Sequence, residues 1–283
     1  MESAILCRKM KKTYGLFTLD IEDFKVATGT VHGLIGANGS GKTTTIKLLL
    51  GLLFPDSGEL SVLGSKRIGS EAETRQHIGF IVDDASVPSL VTANELAAVL
   101  RRCYQDWDQG QYETYLRQFQ IDPKKQYRKY SKGMKVKLQL AIALSHHASL
   151  LILDEPTSGL DPLTRDEIIS ILSEFSKDEN HTILISSHIT SDLEKLCDYV
   201  TFLEEGSIRF TEEKDELLEE YRLVTTSRER EADIDSNAIV ARREGSFQVE
   251  LLMRSKDVPS FVASKRLCLE ELIILLSKKR GVV

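Results

Sequence analysis

The 283-residue chain is 41% hydrophobic and 28% charged, a composition that suits a globular protein with a large core and room for a second, smaller domain. A formal charge of −6 gives no reason to expect nucleic acid as the main partner, because phosphate-backbone binders usually show a basic face. Cys7, Cys103, Cys197 and Cys268 are scattered with no Cys-x-x-Cys pair, so reduced thiols are expected rather than disulfides or a zinc site.

Met1 to Thr13 carries four basic residues and no apolar stretch of the length a secretory leader needs. Residues 4–10, 18–26 and 30–35 read as short strands, with Gly29 marking a tight turn before the third. Val31–Ile35 runs into a glycine-rich loop, Gly36–Gly41, and then into a helix around Ile46–Leu53. Pro55 to Gly58 make a turn, and 59–63 and 77–82 read as further strands.

From Thr92 to His147 the apolar residues recur at helical spacing: Leu96, Val99, Leu100 and Cys103, then Tyr112, Tyr115, Leu116 and Phe119, then Met134, Leu138, Ala141 and Ile142. This predicts an insert of three helices, without the sustained heptads of a coiled coil. Strand character returns at 150–153, 182–186 and 199–203. A helix over about 162–176 fills the first gap, with Asp161 as cap and Pro162 at its first position. Strands alternating with helices predict a parallel sheet covered on both faces. Residues 211–231, crowded with charge, read as an exposed helix and linker. Beyond them, 222–226, 238–242 and 246–252 are candidate strands and Leu267–Lys278 a closing amphipathic helix, a small α/β appendage. No apolar run approaches the roughly 20 residues of a membrane span, so any membrane work is expected to need another chain.

Gly36-Ala37-Asn38-Gly39-Ser40-Gly41-Lys42-Thr43 matches G-x-x-x-x-G-K-[ST] at every fixed position, and it lies between a predicted strand and a predicted helix. The glycines let backbone N–H groups turn inward around phosphate oxygens, and the helix start adds unpaired donors. Gly36, Asn38, Gly39, Ser40, Gly41, Lys42, Thr43 and Thr44 are therefore the candidate ATP-binding residues. Lys42 is expected on the outer phosphates and Thr43 on Mg²⁺. The four apolar residues Leu150–Leu153 end in Asp154 and Glu155. A strand buried on both faces would carry these acids to the edge where ligands gather in open α/β sheets. There Asp154 is a candidate Mg²⁺ ligand and Glu155 a candidate base for an attacking water.

At this point the chain resembles the ATP-binding subunits of ABC transporters over roughly residues 3–215. The resemblance rests on several ordered motifs. It implies a phosphate-loop NTPase of the ABC ATPase type, α/β with an antiparallel β subdomain and a helical insert at about 92–147; residues 216–283 would be an accessory region. It implies that Tyr14, in Lys12-Thr13-Tyr14-Gly15, stacks on adenine. It implies that Ser131 and Gly133, in Tyr130-Ser131-Lys132-Gly133-Met134, meet the γ-phosphate held by a second ATPase subunit. Asp161 closes a D-loop, Ser158-Gly159-Leu160-Asp161, and His188 takes the place of the γ-phosphate sensor; with Glu155 and Lys42 it completes the expected catalytic set. The implied partners are ATP, Mg²⁺, a separate transmembrane permease and a second ATPase subunit, at the cytoplasmic face of the membrane.

Two departures stand out. The family signature usually reads Leu-Ser-Gly-Gly-Gln, whereas Lys132 and Met134 replace the first Gly and the Gln here. The family also usually places a Gln where this chain has Asp83, and a carboxylate accepts but cannot donate. Asp83 is carried as a third candidate metal ligand. These features resemble bacterial exporter subunits related to bacitracin and antimicrobial-peptide resistance systems. Two rivals stay open at this point: a nucleotide-gated module with weak hydrolysis, and a soluble ABC ATPase outside transport.

Overall fold

Leu19, Ile21, Phe24 and Val26 point inward from the second of two long strands, β1 (Ser3–Tyr14) and β2 (Phe17–Ala27), which pair antiparallel. The structure is a computed structural model, and it describes residues 2–66, 68–82, 87–245 and 248–278. The chain continues through β3 (Val31–Ile35), α1 (Lys42–Leu49), β4 (Ser57–Val62), α2 (Ala72–Gln76) and β5 (Ile78–Ile81). The helical insert holds α3 (Ala93–Cys103), α4 (Gln109–Gln118) and α5 (Lys132–Ser145). After it come β6 (Leu150–Asp154), α6 (Pro162–Phe175), β7 (Thr182–Ser187), α7 (Thr190–Leu196), β8 (Tyr199–Glu204) and β9 (Ser207–Glu213). The last elements are α8 (Lys214–Glu220), β10 (Tyr221–Thr226), α9 (Arg228–Glu231), β11 (Ile239–Glu244), β12 (Val249–Arg254), β13 (Ser264–Lys265) and α10 (Leu269–Lys278).

The chain divides into two units, residues 1–189 with 199–211, and residues 190–198 with 212–283. In the first unit, a six-stranded sheet runs β5-β6-β7-β3-β8-β9, with β5, β6, β7, β3 and β8 parallel. Every residue of β3, β6 and β7 is buried, which is why these strands read as unbroken apolar runs. A three-stranded antiparallel sheet, β2-β1-β4, shares a core with α1 through Ile5, Leu19, Phe24, Ile46 and Leu49. The insert has its own core around Tyr112, Phe119, Tyr130 and Leu138. Each of its helices is capped: Thr92 and Glu95 form a reciprocal box on α3, Asp108 accepts from Gln111 N on α4, and Ser131 accepts from Met134 N on α5. The second unit is a four-stranded antiparallel sheet, β11-β12-β10-β13, with Val224, Val249, Leu251 and Met253 on one buried face.

Several elements were not expected. β9 is an edge strand, half exposed and ending in two glutamates, so its charges read as a solvated segment. The stretch 211–231 is two short helices, α8 and α9, on either side of β10, which is the expected strand at 222–226 and pairs with β12 and β13. The expected strand 246–252 begins at Val249, and residues 246–247 lie outside the described residues. α2 and α7 are short helices that periodicity does not resolve. All four cysteines are free, with Cys7 and Cys197 buried. Among the described residues, no helix is long and apolar enough to cross a membrane.

Candidate nucleotide site

β3 ends in the loop Gly36–Gly41 and α1 begins at Lys42, so the chain passes from buried strand to helix through glycines. Gly41 precedes α1 with φ 114°, and a Cβ there would sit 2.7 Å from Leu19 Cδ1. A side chain is excluded by both backbone and space. Lys42 is buried and spends its donors inward: Nζ donates to Gly36 O at 2.7 Å and Ala37 O at 3.3 Å, and lies 3.4 Å from Glu155 Oε1. Ser40 Oγ is buried within this loop with no hydrogen-bond partner. A buried polar group left unpaired is costly, and a phosphate oxygen is an acceptor that would satisfy it.

β6 delivers the two acids. Asp154 is buried, its Oδ2 accepting from Thr43 Oγ1 at 2.7 Å and its Oδ1 from Ser186 Oγ at 2.6 Å. Ser186, on the neighbouring strand β7, also accepts from Glu155 N at 3.0 Å. Glu155 adopts φ 49°, a left-handed backbone that costs a non-glycine residue on the order of 1–3 kcal/mol and is held by its surroundings. Glu155 Oε2 lies 2.5 Å from His188 Nδ1 and accepts from His188 N at 3.3 Å. An ionised carboxylate only accepts, so Nδ1 carries the hydrogen. The two Glu155 oxygens are thus divided between Lys42 and His188.

These groups face one cleft of about 560 Å³. Asn38, Gly39, Gly41, Lys42, Thr43, Thr44, Asp154, Glu155 and His188 line it, together with Phe17, Lys132 and Ser158. Tyr14 does not line the cleft; it ends β1, pairs with Phe17 across the strands, is 43% exposed and has Lys12 Nζ 5.6 Å from its ring centre, and the aromatic residue lining the cleft is Phe17. Ser131 is the cap of α5, and its hydroxyl accepts from Met134 N while keeping its own hydrogen to donate. Gly133 lies inside α5 rather than ahead of it, and a Cβ there would sit 2.7 Å from Thr164 Cγ2 on α6. Asp161 caps α6 by accepting from Thr164 N at 3.0 Å, and that bond holds its carboxyl below the usual carboxylate range. Asp83 lies outside the described residues. Phe17 and Ser186 were not singled out as site residues, and Ser158 entered only as the first residue of the D-loop run. The Ser-Ser-His run was the available signal for Ser186, because its first serine falls beside Asp154 when β6 and β7 pair in parallel.

The strand, glycine loop and helix, the buried lysine and the strand-end acid define a phosphate-loop nucleotide-binding protein. The family model described as ABC transporter matches residues 19–158. The bacitracin transport ATP-binding protein BcrA of Bacillus licheniformis is 36% identical over 211 residues, covering 74% of this chain and 69% of that protein. The lantibiotic transport ATP-binding protein SrtF of Streptococcus pyogenes is 37% identical over 216 residues, covering 74% and 90%. A solved ATP-binding subunit of an ABC transporter superposes with a TM-score of 0.67 at 27% identity, covering 76% of this chain and 92% of that one. The chain belongs to the ATP-binding subunits of ABC transporters, and is an ABC-type ATPase. Subunits of this family work with a membrane permease and form dimers.

Proposed function

We propose that this chain drives an exporter by hydrolysing Mg·ATP, and that it does so as a peripheral subunit on the cytoplasmic face of a separate permease. The exporter reading is supported by the relatives named for bacitracin and lantibiotic transport. In this reading residues 1–215 are the ATPase domain and 216–283 an accessory region.

The observation that carries the mechanism is the shared carboxylate of Glu155, between Lys42 and His188. Phosphate oxygens enter the loop at Ser40 and Lys42, where the unpartnered Ser40 hydroxyl and the Lys42 ammonium lie at the helix start. When Lys42 turns to the outer phosphates, Glu155 Oε1 is released to accept a proton from water. His188 then holds the other oxygen in place and faces the γ-phosphate. Asp154 and Thr43 offer one carboxylate and one hydroxyl with oxygens 2.7 Å apart, hard donors that would hold Mg²⁺, which would supply neutralisation of phosphate charge there. Ser131 and Gly133, at the start of α5, and Asp161, at the start of α6, complete the site of a second subunit. Tyr14, paired with the cleft residue Phe17 across β1 and β2, remains the candidate for adenine.

The test is Glu155→Gln in the full chain with Mg·ATP. Turnover is expected to fall by about 10²–10⁴ while ATP binding persists and sedimentation shows an ATP-dependent dimer. Unchanged hydrolysis would remove Glu155 from the base role.

A further inference from the structure

Thr13 sits where β1 runs past the end of its neighbour β4. The two strands pair as far as Lys11 and Ser57, and Asp56 N, just before β4, donates to Lys11 O at 2.8 Å. Further along β1, Thr13 N donates to the Asp56 carboxylate instead of to a strand, at 2.8 Å from Oδ2. The other carboxylate oxygen, Oδ1, accepts from Lys12 Nζ at 2.7 Å. One residue of the connection between α1 and β4 thus grips three consecutive residues of β1. The Lys12 ammonium and the Thr13 amide together hold the Asp56 carboxyl below the usual carboxylate range, so the clamp is ionised at neutral pH.

Tyr14 is the next residue of β1. Lys12 and Tyr14 are two apart on a strand, so their side chains leave the same face. The Lys12 ammonium lies over the Tyr14 ring, 5.6 Å from its centre and within reach of a cation–π contact. Lys12 is committed to Asp56, and that commitment keeps it over the ring. A cation on one face draws π density toward itself and leaves the opposite face less negative, which favours stacking on an electron-rich purine. The ring is exposed, and its partner across the hairpin, Phe17, lines the nucleotide cleft.

We infer that Asp56 and Lys12 are positioning residues for the purine: the carboxylate fixes the end of β1 and holds the ammonium over one face of Tyr14, which sets the other face for adenine. This rests on the reading of Tyr14 as the adenine partner. The stretch from Gly36 to Asp56 then serves both ends of the nucleotide, with its glycine loop on the phosphates and its last residue behind the base.

The test uses the full chain at a concentration where sedimentation shows a monomer, titrated calorimetrically with Mg·ATP and with Mg·tripolyphosphate, which carries no base. Asp56→Ala is expected to weaken ATP binding roughly two- to tenfold, the scale of a stacking or cation–π contact, and tripolyphosphate binding by less than about twofold. The sign is diagnostic, because removing a negative charge would by charge alone strengthen the binding of either polyanion. Lys12→Met should show the same selective loss, and Lys12→Arg should keep the wild-type ratio of the two affinities. Asp56→Asn keeps an acceptor for Thr13 N and should lose less than Asp56→Ala. A clamp that only closed the sheet would lower the melting temperature and leave that ratio alone. Asp56→Ala with the wild-type ratio therefore overturns the inference, and so does an equal loss for both ligands. Tyr14→Ala is the control, and adding Asp56→Ala to it should bring no further loss. If Tyr14→Ala binds ATP like wild type, the adenine reading itself fails and the inference with it. If Tyr14→Ala loses ATP affinity and Asp56→Ala does not, the inference alone fails and the adenine reading stands.

Discussion

Ser186 ties the two acids of the site together. Its hydroxyl donates to Asp154 Oδ1 and accepts from Glu155 N, all within the buried ends of β6 and β7. Ser186→Ala would leave a buried carboxylate oxygen without its donor, and should cost about 1–3 kcal/mol of folding stability. Turnover should also drop, because Glu155 loses a constraint on its left-handed backbone. Chemical denaturation and steady-state ATPase together check this; unchanged values in both would show that the strand pairing alone holds the acids.

At the scale of elements, the start of α5 depends on contact with α6. Gly133→Ala would drive a methyl to 2.7 Å from Thr164 Cγ2, so α5 and α6 must part or Thr164 must turn. Overpacking of this kind costs about 1–3 kcal/mol. The loss should be recovered in part by adding Thr164→Ser, and a double-mutant cycle reads the coupling. The central sheet carries a second sensitivity. His32, on β3, is buried against Phe24 and Tyr199 with Nε2 2.6 Å from Thr201 Oγ1; burial pushes its pKa down from 6.5 to about 4. His146, at the end of α5, stacks on Tyr104 and is pushed down to about 4, again mainly by burial. Below pH 6.5 the unfolded chain takes up these protons and the folded chain does not. Stability is therefore fully present above pH 6.5 and is lost as pH falls toward 4, by about 3 kcal/mol for each ring. Melting curves between pH 7.5 and 4 check the sign, and a flat profile across the window between the two pKa values would contradict the burial of these rings.

For the whole molecule, the candidate site and its surrounding strands belong to the first unit. A ligand that binds only the folded state adds about 2.7 kcal/mol at a hundredfold excess over its Kd. With Mg·ATP, amide exchange should slow in α1 and β6, which carry lining residues of the cleft, and in β3, which leads into the phosphate loop. β10 and β12 of the second unit should keep their exchange rates at a protein concentration that holds the chain monomeric. Equal slowing in both units would mean that the second unit takes part in nucleotide binding.

Local chemistry was enough for the parts of this protein whose neighbours are close in sequence. The glycine loop, the cap at Asp161, the pair Asp154-Glu155 and the buried runs of β3, β6 and β7 all follow from residue type and spacing, because strand burial and phosphate cradling are written into a few consecutive residues. What spans distance had to come from the fold. Sequence order does not show that Ser186 falls against Asp154, since that contact is 32 residues long and set by strand register. Nor does it show that Phe17 rather than Tyr14 walls the cleft, or that Lys132 reaches the turn at Gly159. The charged edge strand β9 was illegible for a related reason: its hydrogen-bond partner is another strand, and half-exposed edges carry the composition of loops.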